Sequence, residues 1–363
     1  MPFPTRDEQR RAFWRQLGAS DQQADELLRH CHPLPAPQEA STPLKDELHV
    51  DFYRGLPSHG EGLLDGLKTA FPQLNFSPAP GVSQTTQWIA AVRRGEAVGH
   101  PQPKSPFLSP DTLQLVLLQT LAGTLPALVT PCREDFVTLV QLLAHRGEPA
   151  EVPPSMGALL LSGIVNWQRV RQFLALQHAQ PAAGQAASHR AWGQLQEQKQ
   201  LYQDRLVLAY RGPYSGVAQV EGLTQTAWHE RSLTLRLAHE ATHYFTLRLF
   251  GRLSHTVAEE LVADWVGLTT AVGRYPVGLA QSFLGVEKAP AFRPGGRLAN
   301  YRGNPPLSDQ AFALLVQGSA MATQKLATFP PGHVFLAAKV QALLTLSLEE
   351  LALSAPAVEG AEG

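Results

Sequence analysis

Between Ser232 and Asp264 the chain carries His239-Glu240-x-x-His243 and then Glu260-x-x-x-Asp264. Leu233, Leu235, Leu237, Ala238, Ala241, Phe245, Leu247 and Leu249 wrap most of the first segment's circumference, so it reads as a buried helix. Ser232 is its expected N-cap and Gly251 its C-terminal stop. His239 and His243 then stand one turn apart on a single stripe, their side chains rooted about 6 Å apart, as two imidazoles meeting one ion require. Polar groups on a buried stripe cost free energy unless they are partnered, so the stripe calls for a partner.

The next segment supplies it. Thr256-Val257-Ala258-Glu259 matches a capping box, which assigns Glu259 to the helix start and leaves Glu260 to turn inward; Gly273 closes the helix. The short loop Gly251–His255 predicts an antiparallel hairpin. In such a hairpin, residues at one height share an index sum, which pairs His243 with Glu260 and His239 with Asp264. The expected metal ligands are therefore His239, His243 and Glu260, with Asp264 orienting an imidazole from outside. Glu240 points about 100° round the helix from His239, toward a water on the ion rather than the ion itself.

HExxH followed by ExxxD resembles the gluzincin (thermolysin-like) class of zinc metallopeptidases, over the active-site helices alone. The spacer before Glu260 is somewhat shorter than in thermolysin. The resemblance implies a zincin-like catalytic domain holding Zn2+ and acting on a peptide or protein substrate. By it, His239, His243 and Glu260 bind zinc, Glu240 is general base and proton shuttle, and Asp264 is the outer partner. The chemistry agrees: zinc brings the pKa of its water from 15.7 toward about 7 and polarises the scissile carbonyl, while a carboxylate moves the proton to the leaving amine. Such a site also needs an oxyanion donor. Arg274, Tyr275, Arg297, Tyr301, Arg302, His229 and His255 are candidates, and Tyr301 is the expected catalytic one. Two other readings keep the metal: a hydrolase of non-peptide amides or metabolites, and a non-catalytic metal-stabilised scaffold. A di-iron carboxylate site needs a second Glu-x-x-His, which the sequence lacks.

A net charge of -1 shows no footprint for nucleic acid or an anionic membrane. The longest apolar stretch, Leu113–Val129, is broken by Gln114, Gln119, Thr120 and Pro126 and is too short to span a bilayer. Two distant cysteines and a charged N-terminus without an apolar h-region make a cytoplasmic protein the expectation. The expected fold is mainly α (α+β), with a helical N-terminal region (1–150), a zincin-like domain with a small antiparallel sheet (151–353) and a disordered tail (354–363). Within it, residues 6–30 read as one amphipathic helix. Asp111–Val129 reads as a buried helix, Ser188–Asp204 as a polar helix, and the second half of Met156–Gln177 as helical. Leu206–Tyr210 is the best strand, with Val217–Val220 as its return. Gluzincin resemblance would make that strand a sheet edge able to pair with an extended peptide.

Overall fold

The computed structural model of the chain describes residues 4–35, 37, 42–97, 105–178, 193–330 and 336–354. It is mainly helical with one four-stranded sheet, and it divides into two compact units. One comprises Met1–Thr42 with Pro213–Gly363, the other Pro43–Gly212, so the division falls at residues 42/43 and 212/213 rather than near 150. No helix among the described residues is long and apolar enough to cross a membrane. The expected tail lies outside the described residues apart from Ser354.

The chain opens with α1 (Arg6–Gln16) and α2 (Asp21–His30), where a single helix was expected. Gly18, at φ 93°, breaks the run, and each helix begins with its own capping box, Thr5 with Glu8 and Ser20 with Gln23.

The unit Pro43–Gly212 holds α3 (Val50–Arg54), α4 (Gly60–Ala70), β1 (Gln114–Thr120), β2 (Gly123–Thr130), α5 (Arg133–Leu143), β3 (Ala158–Val165), α6 (Trp167–His178) and β4 (Gln203–Tyr210). The sheet runs β1-β2-β4-β3. β2 pairs antiparallel with β1 and parallel with β4, and β3 pairs antiparallel with β4, so the sheet is mixed rather than purely antiparallel. The helix expected over Asp111–Val129 is instead the β1–β2 hairpin. Gly123, at φ 86°, turns the chain there, and an unbroken apolar run does not by itself distinguish a helix from buried strands. Leu128, Leu206 and Leu208 from the sheet pack with Phe136 and Leu139 of α5 and Leu63 and Leu67 of α4 to form the core.

Two further expectations about strands are corrected. β4 lies inside the sheet, hydrogen-bonded on both sides, so it offers no free edge to a peptide. Val217–Val220 forms no strand. Of the polar helix expected over Ser188–Asp204, the first residues lie outside the described ones, a short helical piece covers 193–197, and β4 has begun by Gln203.

The other unit continues with α7 (Gln225–Phe250), α8 (Val257–Val272), α9 (Val277–Leu284), α10 (Asp309–Leu326), α11 (Leu336–Leu344) and α12 (Leu348–Leu353). α7 begins a full seven residues before the expected start, capped by Thr224. Ser232 lies buried inside the helix, its hydroxyl accepting from the Tyr214 N–H at 3.1 Å. Gly251 does stop α7, at φ 72°. α8 packs closely on α7 at Gly267, where a Cβ would sit 2.9 Å from the Leu235 carbonyl oxygen. α1 is tied into the same unit: the Trp14 indole donates to Glu349 of α12 at 2.6 Å, and the Arg6 guanidinium pairs with Glu350 at 2.6 Å.

Candidate metal centre

The hairpin register sets the site. His239 and His243 lie on α7, and their Nε2 atoms face one another at 3.1 Å. Glu260 of α8 closes the group, with Oε1 3.1 Å from His243 Nε2 and Oε2 3.5 Å from His239 Nε2. Among the described residues these three form the group whose ligand atoms all lie within 4.8 Å of one another. Asp264, one turn beyond Glu260, places Oδ1 3.0 Å from His239 Nδ1. The structure thus brings together the pairs that share an index sum.

Each imidazole is held from behind. Asp264 takes the His239 Nδ1 side, and Glu259 takes the other, with Oε1 2.9 Å from His243 Nδ1. A hydrogen bond to a carboxylate at Nδ1 fixes ring orientation and leaves the Nε2 lone pair to face inward. Glu259 therefore does more than the capping role expected of it. Thr256 accepts from its backbone N–H at 3.4 Å, but its carboxylate does not return to the Thr256 backbone. Its Oε2 accepts instead from the Ser254 N–H (2.7 Å), the Ser254 hydroxyl (2.7 Å) and the His255 N–H (3.0 Å). The loop before α8 aims Glu259 at His243.

Asp264 has its own supports. The Tyr214 hydroxyl donates to its Oδ1 at 2.8 Å and lies 3.1 Å from His239 Nδ1. Arg297 pairs with Asp264 Oδ2, and its other terminal nitrogen donates to the Tyr214 hydroxyl at 3.1 Å. That same nitrogen is 3.8 Å from Glu260 Oε2. Arg297, one of the oxyanion candidates, is thus engaged in holding carboxylates. Tyr301 stands close enough to the cluster for the Glu260 charge to act on its phenol. Glu240 sits half-buried on α7, outside the three-residue group.

Charge decides what this arrangement wants. With both imidazoles neutral, as binding a cation requires, three buried or nearly buried carboxylates, Glu259, Glu260 and Asp264, face one guanidinium, Arg297, an excess of two negative charges. Burial favours the neutral form of His243, but Glu260 and Glu259 outweigh it and hold the imidazole well above its ordinary pKa. Burial also opposes charge on Glu260 and Asp264, yet both are lowered, Glu260 by the two imidazoles and Arg297, and Asp264 chiefly by Arg297 with His239. Burial pushes the Tyr214 and Tyr301 phenols up, so both keep their protons as donors. Two inward nitrogens, one inward carboxylate and a two-charge deficit fit a divalent cation that accepts nitrogen and oxygen ligands.

Over residues 12–355 the sequence matches DUF7005, described as a family of unknown function. The chain belongs to that family. Among curated proteins and among solved structures, nothing matches. In this DUF7005 member the matched span covers most of both units and every residue of the cluster. Sequence reasoning passed over Tyr214 and the orienting role of Glu259. Glu259 was within reach, because its index sum with His243 differs by one from that of Glu260. Tyr214 had no local signal: it lies well before α7 and meets His239 only through the fold.

Proposed function

We propose that this chain is a zinc-dependent metallohydrolase that cleaves peptide bonds, with His239, His243 and Glu260 as metal ligands. The observation that carries this reading is the double orientation of the imidazoles. Both Nδ1 atoms are taken by carboxylates while both Nε2 atoms converge with Glu260 on one point. A purely structural histidine pair has no need for both Nδ1 atoms to be held by carboxylates with both Nε2 atoms turned to one point.

Bound zinc would supply Lewis acidity, making a water nucleophilic near neutral pH and polarising the scissile carbonyl. The chain's own residues do the rest. Glu240, next to His239 on the helix, takes the proton as the water oxygen bonds to the carbonyl carbon, and delivers it to the amine nitrogen as the C–N bond breaks. Tyr301, kept protonated by burial and standing near Glu260, donates its hydroxyl to the developing oxyanion. Glu259 and Asp264 keep the imidazoles aimed, and Tyr214 with Arg297 keeps Asp264 in place.

The test is zinc content together with turnover of denatured casein and a peptide library. The reading predicts about one zinc per chain, and cleavage that Glu240→Gln removes without removing the metal. Zinc-loaded protein as inert toward peptides as its Glu240→Gln variant rejects the peptidase reading.

A further inference from the structure

A cavity of about 290 Å³ shares a wall with the metal cluster. Tyr301 lines it and also stands near enough to Glu260 to feel its charge, so one side chain faces both. His255 and Val257 line it too, in the segment whose backbone N–H at His255 donates to Glu259. The opposite side comes from His30, at the end of α2, and Leu315 of α10. His30 is pinned: its ring lies against Gly303, where a Cβ would meet a ring carbon at 1.8 Å, and φ there is 80°. Asn300 completes the polar part of the wall.

Size and chemistry narrow what such a space takes. Small-molecule sites run from about 300 to 1,000 Å³, so this cavity is at the lower end, suited to one side chain rather than a whole ligand. None of its lining residues is Asp, Glu, Lys or Arg. A charged side chain would enter without an opposite charge, at a desolvation cost. An aliphatic one would meet Val257 and Leu315 but use none of the hydrogen-bonding groups of His30, His255, Asn300 and Tyr301. A carboxamide offers two donors and an acceptor to groups that can answer both.

We propose that this cavity is the side-chain recognition subsite of the hydrolase, taking an uncharged hydrogen-bonding side chain of the carboxamide class. The assignment rests on the metallohydrolase reading of the neighbouring cluster for its role, but its binding chemistry is testable without turnover.

The experiment titrates the zinc-loaded full chain with N-acetyl-glutamine methylamide and with the leucine, glutamate and lysine counterparts. Calorimetry gives affinities, and methyl NMR reads Val257 and Leu315. The glutamine probe is expected to bind about tenfold or more tightly than the others, because a site built for hydrogen bonds rejects analogues that leave it unpaired. Asn300→Trp, at an exposed position, fills the cavity and removes binding; His30→Leu keeps the bulk and removes the preference. Both variants keep about one zinc per chain. Equal affinity for all four probes, or a glutamine affinity unchanged in both variants, overturns the subsite. Selective, variant-sensitive binding in a chain that cleaves no peptide keeps the cavity as a carboxamide site and rejects only the hydrolase reading.

Discussion

In the unit Pro43–Gly212, Asp204 is buried with Arg169 and Asn166; in the other unit, Asp264, Glu259 and His239 are buried, with Glu260, His243 and Arg297 nearly so. The first group closes on itself. Arg169 donates to Asp204 Oδ1 at 2.6 Å and to the Gln200 carbonyl at 2.7 Å, and the Asn166 amide takes Asp204 Oδ2 at 2.7 Å. Asn166 Oδ1 accepts from the Gln168 and Arg169 N–H groups, capping α6. One carboxylate meets one guanidinium, and the polar atoms tie a helix to a strand. The His239–His243–Glu260 cluster has the same ingredients without the balance: with its imidazoles neutral, two negative charges stand in excess, and two ring nitrogens face each other. Burial prevails at Asp204, whose pKa is pushed up to about 6, whereas at Glu260 and Asp264 the neighbouring cations prevail. A buried ionic group that satisfies itself builds structure; one that stays unsatisfied in a defined direction is built for something else.

The contrast breaks most decisively if the ligands are removed. His243→Ala or Glu260→Ala should abolish stoichiometric zinc, read by elemental analysis after dialysis, while Arg169→Met in the balanced group should leave zinc at one per chain. Glu240→Gln should keep zinc and lower kcat by about 10²–10⁴-fold, the usual worth of a general acid–base group. Arg169→Met should instead cost about 3–5 kcal/mol in denaturant unfolding, because it strands Asp204 as a buried charge. Asp264→Asn and Glu259→Gln should weaken zinc about 10–100-fold in competition with a chelator, since they loosen the imidazoles without removing a ligand.

The smallest expected effect concerns pH. Asp204 is raised to about 6, so the folded state holds its proton more tightly and stability falls as pH rises from about 4 to 6. Burial lowers His49 in the same unit to about 4, so the unfolded state binds more protons and stability rises over pH 4–6.5. The two slopes oppose each other. Removing the falling contribution should therefore make Asp204→Asn climb with pH more steeply than the wild type between about pH 4 and 6. An Asp204→Asn profile no steeper than the wild type's would show that Asp204 does not hold its proton more tightly in the folded chain.

The site helices were legible because their information is local. Two histidines one turn apart, a cap at Thr256 and a five-residue loop set the register that brings Glu260 to His243 and Asp264 to His239. What failed was also local: the apolar run around Leu115–Val129 carries no period that separates a helix from a hairpin whose second strand is buried on both faces. Glu259 was misassigned because a capping box and an imidazole compete for one carboxylate, and the Ser254 and His255 donors turn it toward His243. Tyr214, Arg297 and the cavity wall from His30 come from distant parts of the chain, and only the packing of α2, α7, α8 and α10 assembles them.

The central claim is that α7 and α8 together hold one zinc. Zinc K-edge absorption on the metal-loaded chain, wild type beside His239→Ala and Glu260→Ala, tests it most directly. The account predicts one zinc with two imidazole nitrogens and carboxylate oxygen among its ligands, lost in both variants. Stoichiometric zinc with the same spectrum in both variants would contradict it.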